Sequence, residues 1–123
     1  MSTTTVYGIS NCDTVKRARA WLTEQGVDYT FHDFKKLGVP ESELDDWLAA
    51  AGWETLVNRR GTMWRSLDDA TRSAVVDAAS ARQALLAYPS LIKRPVVRWP
   101  GRPQVTVGFD AQAWEALAVK VKG

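Results

Sequence analysis

Apolar and polar positions along this chain follow two periods, and the places where one gives way to the other predict the elements. Residues 3–7, Thr3-Thr4-Thr5-Val6-Tyr7, are β-branched or aromatic and stop at Gly8, which predicts a first strand. Between residues 13 and 25 the period changes. Val15, Ala18, Trp21 and Leu22 recur at three- and four-residue spacing and Gly26 follows, so a helix ends there. Val27, Tyr29 and Phe31 then alternate with Asp28, Thr30 and His32 as a second strand. Pro40 suits the first turn of a helix whose face is Leu44, Trp47, Leu48 and Ala51, closed by Gly52. Leu67, Ala74, Val75 and Ala78 predict one helix over residues 66–79, and Ser80 is placed to cap a short further helix that Pro89 ends near Tyr88. Val96–Trp99 and Gln104–Val107 are short β-rich runs joined by Pro100-Gly101-Arg102-Pro103, a turn sequence that pairs them antiparallel. Asp110 can cap a last helix that buries Trp114, Leu117 and Val121. The order is βαβ, a helical insertion, then ββα. Each helix has one apolar stripe to hide, so a single sheet with helices on both faces is the economical solution.

Composition narrows the class. The chain has 123 residues, 46% hydrophobic and 24% charged, which suits one domain spanning residues 1–123. Trp21, Trp47 and Trp114 fall on apolar helical faces and belong to its core; Trp64 either packs or borders a site. A net charge of +2, from 16 basic and 14 acidic residues interspersed along the chain, argues against a nucleic-acid partner. No apolar run has membrane-spanning length, and residues 1–5 lack the pattern of a signal peptide, so a cytoplasmic protein without a membrane partner is expected. One cysteine and one histidine are too few soft ligands for a structural metal, so no metal site is expected. His32 falls on the polar side of its strand and enters no mechanism.

The chemistry then rests on Cys12. It lies in Gly8-Ile9-Ser10-Asn11-Cys12-Asp13-Thr14, between the first strand and the first helix. Unpaired amides and the positive end of a helix dipole favour a thiolate there, against the neighbouring charge of Asp13. A free cysteine is more often a small buried core residue, but this loop position argues for reactivity. A second run, Leu91-Ile92-Lys93-Arg94-Pro95-Val96, starts a strand with a proline after two cations. Proline is tolerated there because it owes no ladder donor, and together with the thiol it predicts a cis Arg94–Pro95 bond.

These runs, with Asn58-Arg59-Arg60-Gly61-Thr62-Met63-Trp64-Arg65 and Asp77-Ala78-Ala79-Ser80, resemble in order the signatures of the ArsC-like proteins, a group comprising glutaredoxin-linked arsenate reductases, the Spx regulators and the YffB proteins. The likeness is greatest to the YffB subgroup. It implies an α/β, thioredoxin-like fold with a four-stranded mixed sheet and a helical insertion. It also implies that Cys12 is the nucleophile and that Arg60 and Arg94 complete the catalytic set, with Asn11, Lys93 and Pro95 binding substrate. Two features of the arsenate reductases are absent: Gly108 stands where their third arginine is expected, and Gly8 replaces a histidine. Each missing charged donor removes about 1.5–3 kcal/mol of binding, which disfavours arsenate. Arg17, Arg19, Arg72 and Arg82 are taken as solvated surface charge.

Val15 stands three residues after Cys12, so there is no Cys-x-x-Cys switch and the second thiol comes from outside. The leading expectation is a monomeric, glutathione-dependent thiol reductase with no tightly bound cofactor, glutathione as co-substrate and glutaredoxin as a candidate partner. An arsenate reductase and a non-enzymatic, Spx-like RNA polymerase-binding regulator are the alternatives; binding that survives Cys12→Ser would favour the regulator.

Overall fold

A computed structural model describes residues 4–100 and 104–122; of residues 104 and 119–122 it describes only the backbone. The elements run β1 (Thr4–Gly8), α1 (Asp13–Glu24), β2 (Tyr29–Asp33), α2 (Phe34–Leu37), α3 (Glu41–Ala51), α4 (Trp53–Leu56), α5 (Thr62–Ser66), α6 (Asp69–Ser73), α7 (Ala78–Ala87), a 3-10 turn (Pro89–Leu91), β3 (Val96–Trp99), β4 (Gln104–Val107) and α8 (Ala111–Lys122). The strands form one four-stranded mixed sheet in the order β2-β1-β3-β4. β1 and β2 are parallel, with Val6 opposite Phe31, and the other two pairings are antiparallel, with Val6 opposite Val97 and Val96 opposite Val107. This is the thioredoxin-like arrangement that the family resemblance implied.

Period-two alternation decides which residue enters which layer. Val6, Val97 and Trp99 face a core shared with Ala18 and Leu22 of α1 and Trp114 and Ala118 of α8. Tyr7 and Val96 face the opposite core, filled by Leu44 and Trp47 of α3, Leu56 of α4, and Ala81 and Leu85 of α7. Trp114 is the hub of the first layer: Phe109, Trp99 and Trp21 lie edge-on to it at 4.8, 5.2 and 5.8 Å. Trp47 and Trp114 are fully buried as expected, whereas Trp21 is half-buried. Val121 and the turn at residues 101–103, both assigned from sequence, lie outside the residues whose side chains or backbone are described.

The insertion differs from its reading. Residues 66–79 do not form one helix. Asp68 accepts from Thr71 N at 2.7 Å and starts α6, which ends at Ser73. Asp77, rather than Ser80, caps α7: its Oδ1 accepts from Ser80 N, and Ser80 Oγ accepts from Asp77 N in return, a reciprocal capping box. Aspartate side chains compete for backbone donors and so break the helix that apolar spacing alone suggests. Leu67 and Val75 are buried, but Ala74 and Ala78, counted to the same face, are exposed.

Candidate functional site

The thiol loop is shaped by what it joins. Gly8 ends β1 so close to α1 that a Cβ there would stand 2.9 Å from Val15 Cγ2, so a side chain would force strand and helix apart. Ser10 N donates to Asp33 Oδ2 at 3.3 Å, while Asp33 Oδ1 accepts from Lys35 N and Lys36 N to cap α2. One carboxylate thus ties the loop to the end of the neighbouring strand. Burial pushes Asp33 up, but the amides of Ser10, Lys36 and Lys35 and the Ser10 hydroxyl outweigh it and hold the carboxyl below its ordinary value. Its stabilisation is therefore complete above about pH 4, the unfolded value, and is lost as pH falls through the lower folded value. Asp33→Ala should cost about 1–2 kcal/mol at neutral pH, the scale of a lost cap, and flatten this part of the acid limb. Urea titrations between pH 2.5 and 7 measure both; an unchanged pH profile would mean that Asp33 is equally well solvated in the unfolded chain.

Cys12 occupies the N-cap position of α1 with extended backbone (φ −147°, ψ 120°), and its carbonyl accepts from Lys16 N at 2.9 Å. The side chain is half-buried and makes no capping hydrogen bond of its own. Burial pushes the thiol up; the Val15 amide, the Arg94 guanidinium and the Thr14 amide pull it down further, leaving it below the value of a free thiol. These donors converge on the sulfur and favour the thiolate.

A second crossing brings the cations. Asn58 N donates to Leu91 O and Lys93 N to Leu56 O, both at 2.8 Å, around a bridge between Val57 and Ile92. This short zipper sets Asn58 beside the run that leads into β3. The Arg94–Pro95 bond is cis, as expected, and Pro95 O accepts from Gly108 N at 2.9 Å, fastening the approach to α8. Arg94 Nη1 donates to Ser90 O at 2.9 Å, which fixes the half-buried guanidinium, while its Nε is buried without a partner. A buried donor left in this way costs about 1–3 kcal/mol until an acceptor arrives.

These segments surround a cleft of about 500 Å³ lined by Cys12, Thr14, Arg17, Asn58, Lys93, Arg94 and residues 107–110. Three of the residues assigned from sequence therefore meet: Cys12, Lys93 and Arg94. Asn11 is exposed and Pro95 buried, and neither lines the cleft. Arg60 does not line it either. The turn from Asn58 to Gly61 engages Arg60 through its backbone, N donating to Asn58 Oδ1 and O accepting from Arg65 Nη2, and the residue is exposed. Arg17, read as surface charge, does line it, one turn and a half beyond Cys12, with Nη2 3.4 Å from Thr14 Oγ1. Arg82 and Arg98 instead bind α3, to Glu41 and Asp45 and to Glu43 and Asp46. Asn58, Thr14 and Phe109 were not assigned to a site, and Asp110 was assigned only as the cap it is; Asn58 opens the Asn-Arg-Arg-Gly run, and Thr14 and Arg17 follow Cys12 in its helix. His32 binds Gly38 O at 3.0 Å through Nε2, and Trp64 lies under Arg59 in the opposite core, so neither belongs to the cleft.

At family level, residues 7–117 match the ArsC family. The chain belongs to the ArsC family. Among solved structures, this ArsC-family chain is similar to a YffB protein at 46% identity and TM-score 0.87, covering 94% of this chain and 99% of that one. It is similar to an arsenate reductase (ArsC) related protein from Brucella melitensis at 50% identity and TM-score 0.72, covering 94% and 93%. The global transcriptional regulator Spx of Streptococcus pyogenes serotype M3 is 27% identical over 86% of this chain and 78% of its own length. Among the described residues of this ArsC-family chain, no group of three or more His, Cys, Asp or Glu stands where it could hold a metal, and no helix is long and apolar enough to cross a membrane.

Proposed function

We propose that this ArsC-family chain is a glutathione-dependent thiol reductase working through one cysteine. The observation that carries the reading is Cys12 at the N-cap of α1, its pKa held down against burial by the Val15 amide and the anchored Arg94, in a cleft that also holds Lys93 and Arg17. The Cys12 thiolate attacks the glutathione sulfur of a glutathionylated substrate. A Cys12–glutathione disulfide forms as the substrate sulfur leaves as a thiolate and takes a proton from water. A second glutathione, as thiolate, attacks the glutathione sulfur of that adduct; oxidised glutathione is released and the Cys12 thiolate returns. The net exchange turns one mixed disulfide and one reduced glutathione into the substrate thiol and oxidised glutathione: the incoming glutathione sulfur is oxidised as the substrate sulfur is reduced, and no second protein cysteine is required.

Lys93 and Arg94 hold ligand carboxylates, and Arg94 also stabilises the thiolate. Asn11 and Pro95, which do not line the cleft, are assigned no contact with the ligand. Arg60 is assigned no role, because it does not line the cleft.

Titration with reduced glutathione, followed by backbone amide shifts, should perturb residues around Cys12, Asn58 and Arg94, and arsenate should bind more weakly. Arg94→Ala should weaken glutathione binding by roughly 1.5–3 kcal/mol, the scale of a charge-assisted bond, with the fold intact. Unchanged affinity would return Arg94 to surface charge. Absence of shifts around Cys12 in the wild type would remove the reading itself.

A further inference from the structure

Asp110 is the one acidic side chain lining the cleft among the described residues, where Arg17, Lys93 and Arg94 supply three cations. Its local task is plain: Oδ1 accepts from Gln112 N at 3.0 Å and Ala113 N at 3.2 Å, capping α8. That task does not require a charge, since Asn and Ser cap helices as well as Asp does. A carboxylate here also opposes what the rest of the cleft does, because it weakens the positive field that draws anions and favours a thiolate. A cleft meant only for an inorganic oxyanion gains nothing from it.

A ligand with a positive group does. We infer that Asp110 is the docking point for the α-ammonium of an amino-acid-headed thiol, the γ-glutamyl end of glutathione. This rests on the glutathione reading above and adds to it the group that recognises the ligand's only positive charge. The charges then match. At neutral pH glutathione carries two carboxylates and one ammonium; with the Cys12 thiolate the carboxylates make three negative groups against the three cleft cations, and Asp110 answers the ammonium. Oδ1 is committed to the cap, which leaves Oδ2 to accept from the ligand. Phosphate and arsenate have no group that satisfies this carboxylate, so Asp110 selects against them as well as for a zwitterionic thiol.

The test uses ligands that bind without reacting: S-methylglutathione, its N-acetylated form lacking the ammonium, and inorganic phosphate. They are titrated into the wild type and Asp110→Asn, which keeps the cap and removes the charge. The wild type should prefer S-methylglutathione to the N-acetyl form by about tenfold, the scale of one partly exposed charged contact. Asp110→Asn should lose that preference, binding both ligands at the wild-type N-acetyl level, and should bind phosphate at least as tightly as the wild type. Asp110→Ser, a second capping residue without charge, should behave as the Asn variant does. A preference retained in both variants overturns the inference. Binding of S-methylglutathione by the wild type with no ammonium preference overturns the inference alone; no binding near Cys12 overturns both it and the glutathione reading.

Discussion

Cys12→Ser should abolish reductase activity and all covalent labelling by oxidised glutathione. The chain contains no other cysteine, so no sulfur can substitute. In the wild type, oxidised glutathione should add one glutathione per chain, and reduced glutathione should remove it by exchange. Serine is close to isosteric and an N-cap former, so α1 should persist and the loss should be chemical. The sign of the pH dependence follows from the thiol's surroundings. Burial disfavours the thiolate, but the Val15 and Thr14 amides and Arg94 favour it by more, so the alkylation rate of the wild type should reach half its plateau below the free-cysteine value of about 8.5. Arg94→Ala should move that midpoint upward. Iodoacetamide kinetics from pH 5 to 10 decide the matter: a wild-type midpoint at or above 8.5 with no glutathione adduct would make Cys12 an inert residue.

The largest effect on stability is expected at Trp47. It is fully buried in α3, with its ring centroid 4.9 Å from that of Tyr7 on β1, and it joins Leu44, Leu56 and Leu85 in the core beneath the sheet. Trp47→Ala should cost about 3–5 kcal/mol, because the lost transfer energy is joined by the cost of a cavity that rigid neighbours fill only in part. That is a large share of the roughly 5–15 kcal/mol available to a domain. Trp47→Phe should cost well under half as much: it keeps most of the ring contact and removes an indole N–H that is buried without a partner. Tyr7 immediately precedes Gly8, so loosening its packing should also make amides of the thiol loop exchange faster. Urea unfolding and hydrogen exchange measure the two effects; a loss below about 1 kcal/mol in the alanine variant would mean that the site collapses around the smaller side chain.

The parts of the fold that were legible are those governed by local periodicity. The hairpin Val96–Trp99 and Gln104–Val107 was read to the residue, and α1 and α3 to within one, because alternation and three-four spacing report which face is covered. Residues 66–79 misled for a definable reason. Leu67 and Val75 are both buried, but Leu67 follows α5 ahead of the Asp68 cap and Val75 lies between α6 and the Asp77 cap, and periodicity cannot detect that a side chain has taken the backbone's donors. The short helices α2, α4 and α5 were absent from the reading because four or five residues carry too little periodic signal.

At the site the division runs along the same line. The sequence by itself determined that any thiol chemistry belongs to Cys12, that the thiol begins a helix, and that Lys93 and Arg94 precede a strand-starting proline; each follows from composition or from neighbours in the chain. Only the tertiary structure decided which charges share the cleft. Arg60 is exposed and stands outside the cleft, Arg17 lines it because α1 carries it along the wall, and Asn58 arrived through its pairing with Leu91. Asp110 reached the cleft because the Gly108–Pro95 bond draws the start of α8 against the cis-proline turn. Helical and strand periods are properties of adjacent residues, whereas a cleft built from four separate segments depends on their crossings, which no local pattern encodes.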